Sequence, residues 1–354
     1  MTLTVRATAT GGLNRAPGGV GLDCAVVVLS AVFVGGLFLD GWAHAHGRVD
    51  QSFFTPWHAV FYAGYSAVAS TLVASLLRNR ARGYPWRGAF PAGYGLSLLG
   101  ALIFAVGGVG DMIWHMLFGI EAGVEALLSP THLALAVGLG LIVSGPLRAA
   151  WRRPEPPSTW AAQVPMLLAL TLTLSLLTFF TMFAHPIVHP AAGAGRPYAG
   201  SEAMGVTGIL LQTELLMGMI LFAVRFCTLP AWALTLVVTL NAAAMGFLNP
   251  HGGYPLALVV AAGTAGLSAD LLRAQVRPTA RRPAAWRLFA FVVPAAFYLC
   301  YFLALILTEG IAWSIHLWAG SIILAGIAGW LLSYLLLPPR SLEAPQRPDA
   351  LGLR

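Results

Sequence analysis

Cys24-Ala25-Val26-Val27-Val28-Leu29-Ser30-Ala31-Val32-Phe33-Val34-Gly35-Gly36-Leu37-Phe38-Leu39 runs without a single charge until Asp40 closes it. With its flanks, the stretch 22–43 is long enough to cross a hydrocarbon core as a helix, which takes about 20 apolar residues. Nine similar stretches follow, at 54–77, 90–117, 127–147, 161–184, 203–224, 228–248, 254–273, 287–308 and 311–337. The whole chain is 58% hydrophobic and 9% charged. A soluble helical protein needs a polar face on each surface helix, and these stretches have almost none. The expected fold is therefore all-α, a polytopic membrane bundle of about ten transmembrane helices occupying 22–337. Residues 1–21 and 338–354 are expected as tails.

The basic residues orient the bundle. All 20 are Arg, and 18 of them lie in the tails or in the loops after even-numbered spans; Arg48 and Arg196 are the exceptions. Cytoplasmic loops carry the excess of positive charge. Both termini are therefore expected in the cytoplasm of a multi-pass plasma-membrane protein. The net charge of +7 then reflects topology and the lipid bilayer's anionic headgroups as partner, with no nucleic acid implied. Membrane-protein partners or a homo-oligomer stay open. Cys24, Cys227 and Cys300 sit at inner helix ends or within a span, where no disulfide is expected.

A second pattern lies on top of the first. Asp40-x3-His44, a loop, Thr55-Pro56-x-His58 and Gly64 reappear as Asp111-x3-His115, a loop, Ser129-Pro130-x-His132 and Gly138. Each copy is preceded by a Phe and a Gly, Phe33 and Gly36 in one, Phe104 and Gly107 in the other. This reads as an internal repeat, two hairpins at 22–77 and 90–147 in the same orientation. An Asp and a His four apart share one helix face. Thr55 and Ser129 are natural N-caps, and Pro56 and Pro130 open the next helices without losing a hydrogen bond. Helix initiation accounts for those residues; it does not account for His58 and His132. Asp40, His44, His58, Asp111, His115 and His132 together offer six metal-type donors.

The remaining candidates are weaker. All nine His fall at the outer ends of spans or in outer loops under this topology. His185 and His189 are again four apart, with Pro186 and Pro190 between and after them. His316 sits near Glu309 and Trp313 at the start of the last span. His251, between Asn249-Pro250 and Gly252-Gly253, fits a turn, and His46 fits an interfacial side chain. Glu121 and Glu125 are expected to face one way on a short surface helix, either as acceptors for the ligand rings or as solvated side chains. Glu214, with Gln212, lies at mid-span, where an ionisable group is costly and marks function by default.

Imidazole with carboxylate suits transition metals, and no Cys or Met cluster points to a soft thiolate or thioether site. Asp40-x3-His44-x13-His58 resembles the Asp-x3-His-x12-His copper set of the C subunit of particulate methane and ammonia monooxygenases. The resemblance covers 40–58, with a loop one residue longer than in that family. It implies copper ligation by Asp40, His44 and His58. Copper is thus favoured, with zinc and iron as alternatives. A bis-His haem is the other cofactor reading, near the outer aromatics Trp42, Trp57, Tyr62, Tyr65 and Trp114. Nucleotide, phosphate-loop and hydrolase motifs are absent. The expected function is a metal-dependent redox or hydroxylating enzyme with an outward-facing, dinuclear His/Asp site acting on an apolar substrate. Competing classes are a transition-metal transporter or metal-delivery protein, and a structural membrane subunit with haem or no metal.

Overall fold

The computed structural model describes residues 15–48, 55–119, 121, 123–153, 159–194, 201–250 and 255–338. His251, Asp50, the 154–158 segment, residues 1–14 and residues 339–354 lie outside these. Among the described residues the chain forms twelve α-helices: α1 Val20–Ala45, α2 Pro56–Ala81, α3 Gly95–Phe118, α4 Glu125–Leu128, α5 Pro130–Val143, α6 Gly145–Trp151, α7 Trp160–Phe180, α8 Ser201–Phe226, α9 Ala233–Phe247, α10 Leu256–Val276, α11 Pro283–Thr308 and α12 Ile315–Leu336. It has no β-strand among them, and one isolated bridge joins Gly193 to Ile311. Every one of the ten apolar stretches forms helix.

Eight helices are long and apolar enough to cross a membrane, and a ninth span results if α5 and α6 are one. Those two meet at a 41° bend. Gly145 and Pro146 follow Ser144 there, and a proline inside a helix removes a backbone hydrogen bond and crowds the preceding turn. The seventh stretch, 228–248, yields only the 15-residue α9. Pro230 and the Asn249-Pro250 pair trim it at either end. Asp270 of α10 caps its start, accepting from the Thr235 N–H at 2.8 Å and the Thr235 hydroxyl at 2.9 Å.

The first helices close into a ring. α1 packs on α2, α2 on α3, α3 on α5, and α5 returns to α1. Phe33, Phe61, Tyr65 and Phe104 fill the middle, with Phe33–Phe104 centroids at 4.8 Å and Tyr65–Phe104 at 4.6 Å. Edge and tilted contacts of this kind add stability beyond area burial. Two glycines let α1 and α2 touch. A β-carbon on Gly36 would lie 2.6 Å from the Phe61 Cα, and one on Gly64 would lie 2.6 Å from the Phe33 Cα. α7 lies against this ring, touching α1 and α5, and leads to α8, α9 and the outer helices.

Polar residues lock the end of the bundle away from Asp40. Asp23 pairs with Arg153 and accepts the Tyr94 hydroxyl at 2.6 Å. Arg148 donates to Gly93 O, Ser97 Oγ and Leu141 O at 2.8–3.0 Å. The ends of α1 and α3 and the starts of α2 and α5 therefore gather at the opposite pole.

Candidate metal centre

Both Asp-His-His groups sit at that pole, on helix ends whose local sequence fixes them. Thr55 Oγ1 accepts the His58 N–H at 3.1 Å, and Ser129 Oγ accepts the His132 N–H at 3.4 Å. Each cap is worth about 1 kcal/mol. Capping thus sets the depth at which His58 and His132 enter the ring. Asp40 and His44, and Asp111 and His115, lie one turn apart on α1 and α3.

In the group at Asp111, the carboxylate turns one oxygen toward each ring. His115 Nε2 is 3.4 Å from Oδ2, and His132 Nε2 is 3.3 Å from Oδ1. The three residues can each offer one donor atom such that all three atoms lie within 4.8 Å of one another. Charge-assisted hydrogen bonds close to about 2.7–2.9 Å, so these gaps are long for direct bonding. Two donors bonded at about 2.1 Å to one tetrahedral ion are about 3.4 Å apart. The spacing is therefore compatible with a bound transition-metal ion, and equally with the ion pairs the three side chains make among themselves.

The far sides of the rings are held as well. His115 Nδ1 lies 3.2 Å from Gly119 O and 3.1 Å from Glu121 Oε2, both acceptors. The Gly119 carbonyl can only accept, so Nδ1 carries a proton, and Nε2 is the atom that faces Asp111. Glu121 is steadied by the Trp114 indole N–H at 2.6 Å. His132 Nδ1 is 2.8 Å from Ser129 Oγ. Thr131 donates its hydroxyl to Asp111 Oδ1 at 2.8 Å. Asp111 and His115 side chains are only 3% and 8% exposed.

The group at Asp40 is looser. His44 Nε2 is 3.8 Å from Asp40 Oδ2 and His58 Nε2 is 3.6 Å from Oδ1. His44 is 32% exposed and Asp40 16%. Asp40 Oδ1 is buried with no hydrogen-bond partner. A buried acceptor left this way is costly, and a cation would satisfy it. The two groups are within each other's electrostatic reach: His44 feels both His115 and His132, and Asp40 acts on His132.

The other expected residues lie elsewhere. Glu121 and Glu125 do not share a face: Gly123 takes φ 62°, α4 starts only at Glu125, and Glu125 points to the exterior while Glu121 turns to His115. His185 is buried in the turn after α7, where its Nδ1 accepts the Ile187 N–H at 3.2 Å; burial and then His189 push its pKa down to about 3. His189 lines a small cavity with Tyr301 and Trp313 beside α8. His316 is exposed in the first turn of α12. Glu214 is exposed at the middle of α8, while its neighbour Gln212 is buried and donates to Thr181 Oγ1 at 2.9 Å. His46 stacks on Trp42 at 4.7 Å.

Thr131, Trp114 and Tyr62 enter the surroundings of the groups without a metal-ligand pattern to mark them. Tyr62 had one signal in the sequence: it lies four residues after His58, hence on the same helix face. Comparison with protein-family models, curated proteins and solved structures finds no match for this chain.

Proposed function

We propose that this is a multi-pass membrane protein in which Asp111, His115 and His132 bind a transition-metal ion, with Asp40, His44 and His58 as an adjoining second set. On this reading it is a metal-dependent redox or hydroxylating enzyme for an apolar substrate. The observation that carries the proposal is the 3.3 and 3.4 Å spacing about Asp111, with both rings held from behind so that their Nε2 atoms converge. Copper is the ion we favour, from the similarity of 40–58 to the monooxygenase copper set. Iron is the second reading, because two His and one carboxylate with open positions also suit non-haem iron. Haem fits less well: the Asp111 carboxylate stands between the two rings where a porphyrin would have to pass.

The ion would supply electron transfer and Lewis acidity. The chain's part is to hold charge and exclude water. Asp111 brings the negative charge, Glu121 raises the basicity of His115, and the surrounding helices that bury Asp111 and His115 keep solvent out. Beside the group, Val109, Ile113, Met116 and Leu117 of α3 are exposed on the bundle surface, which supports entry of an apolar substrate from lipid. The arginines at the opposite pole support cytoplasmic termini and an outward-facing site. The shared order Phe, Gly, Asp, His, His, Gly supports duplication of one hairpin. A transporter would need a polar route beneath the site; Glu214 on the bundle exterior does not provide one.

Metal analysis of detergent-purified protein tests the proposal. Copper or iron should co-purify, and His115→Ala should yield folded, metal-depleted protein, since packing rather than the ion holds the helices. Wild-type protein that neither carries nor takes up a transition metal would end this reading.

A further inference from the structure

The two carboxylates differ at one oxygen. Asp111 Oδ1 faces His132 Nε2 at 3.3 Å and accepts the Thr131 hydroxyl at 2.8 Å. Asp40 Oδ1 holds the matching place in the first hairpin, facing His58 Nε2 at 3.6 Å, and it is buried with no hydrogen-bond partner. The second oxygen is placed alike in both. Oδ2 faces the histidine one turn on, His115 at 3.4 Å and His44 at 3.8 Å.

The sequence accounts for the difference. Thr131 precedes His132 in the first turn of α5, and Trp57 precedes His58 in the first turn of α2. The Trp57 indole donates to Arg48 O at 3.3 Å and meets the Trp42 ring edge to face at 6.2 Å. It brings nothing to Asp40. Thr131 sits at the α3–α5 seam, where a β-carbon on Gly110 would lie 3.8 Å from its methyl. A carboxylate offers about four lone-pair sites on two oxygens. The Thr131 hydroxyl occupies one site on Asp111 Oδ1 and draws charge from that oxygen, which makes Oδ2 the stronger donor.

We propose that Thr131 is a positioning residue that makes Asp111 a one-oxygen metal ligand, bound through Oδ2, whereas Asp40, with no such donor, binds through both oxygens. The two sets then hold their ions in different coordination despite sharing residue types. With three protein donors, a tetrahedral ion at Asp111 keeps one position open for an exogenous ligand. Affinity is a separate matter, set by how far each set must move to close on its ion. The inference rests on the metal reading above, and it adds which set carries the open position and which residue keeps it open.

The test loads Co(II) into full-length purified protein and reads its visible spectrum, whose bands are intense in four-coordinate sites and weaken as coordination number rises. The Asp111 set is read in a His44→Ala/His58→Ala background and the Asp40 set in a His115→Ala/His132→Ala background. The Asp111 set should give the intense spectrum and the Asp40 set the weak one. Thr131→Val keeps the side-chain shape and removes the hydroxyl. It should turn the Asp111 spectrum to the weak kind and lower Zn(II) affinity there about tenfold, the lower end of what outer hydrogen-bonding partners contribute. Thr131→Ser returns the hydroxyl and should restore both readings. Neither change should alter the Asp40 set. An intense spectrum retained in Thr131→Val, or no restoration in Thr131→Ser, would overturn the role of the hydroxyl. Spectra already alike in the two parent backgrounds would overturn it without any change at Thr131. Failure of the wild-type chain to bind Co(II), Zn(II) or Cu(II) would instead defeat the metal reading itself, a result distinct from these.

Discussion

The groups at Asp40 and Asp111 use the same three residue types on the same helix positions, yet they are not equally finished. At Asp111 the side chains of Glu121, Ser129 and Thr131 reach the two rings and the carboxylate from behind, and the carboxylate-to-ring gaps are 3.3 and 3.4 Å. At Asp40 the gaps widen to 3.6 and 3.8 Å; a buried carboxylate oxygen without a hydrogen bond occurs beside each group, Asp40 Oδ1 in one and Glu121 Oε2 in the other. A ligand motif thus names the donors, while the residues around them decide how tightly the donors converge. The group at Asp111 is the better preorganised of the two, and the order of metal affinity should follow.

The largest effect should come from the carboxylates. Asp111→Ala removes the residue that both rings face and should cut affinity at that group by more than about 100-fold, beyond the range of outer partners. Asp40→Ala should cost less, because that set starts looser. Isothermal titration with Zn(II) checks the order, and equal losses would erase the distinction between the groups.

Next is Glu121→Gln, which weakens the acceptor behind His115. It should lower affinity at the Asp111 group by about 10- to 100-fold and leave the Asp40 group unchanged. An equal drop at both would mean that Glu121 acts through the general field and not through the His115 ring.

Acid separates ligand chemistry from unfolding. Metal should leave both groups as pH falls through about 6.5, where free imidazole takes up a proton. His185 supplies the baseline for unfolding. Above about pH 6.5 it is neutral in folded and unfolded chains alike. Below that, the unfolded chain takes up a proton that the folded chain refuses until about pH 3. Stability should therefore fall by about 1.4 kcal/mol per pH unit across that window. His185→Asn keeps an acceptor for the Ile187 N–H and should flatten this slope in thermal melts while leaving acid release of metal intact.

The smallest effects concern the caps. Thr55→Ala and Ser129→Ala should each cost about 1 kcal/mol of stability in thermal melts. Ser129→Ala should also weaken metal binding at the Asp111 group, since its hydroxyl holds His132 Nδ1 at 2.8 Å.

Much of this was legible in the residues. Apolar run length gave the helices, because lipid demands about 20 residues of satisfied backbone per crossing. The Thr55-Pro56 and Ser129-Pro130 starts were legible because capping is local. The ring of α1, α2, α3 and α5 was not, since apolar faces all round carry no record of which neighbour they choose. The trimming of α9 and the bend at Gly145-Pro146 were written in prolines inside apolar runs, where run length alone counts them as full spans. The separation of Glu121 from Glu125 depends on the positive φ of Gly123, and spacing four apart conceals it. The inequality of the two groups depends on Thr131 standing where the first hairpin has Trp57, a difference that means nothing until the hydroxyl is seen to reach Asp111.

The short α9 has a consequence for the membrane itself. Fifteen residues rise about 22 Å, against a hydrocarbon core of about 30 Å. The non-helical backbone before it is satisfied from within the protein: the Arg273 guanidinium donates to Leu229 O at 3.2 Å and to Pro230 O at 2.8 Å. If α9 spans the bilayer, the mismatch is met by local thinning, by snorkelling of flanking side chains or by association with a neighbour. The end of this short helix lies close to the turn that carries Asp40: Phe247 stacks on Trp42 at 6.0 Å. Bilayer thickness becomes a variable acting on this corner of the protein: thicker membranes raise the mismatch there, and thinner ones relieve it.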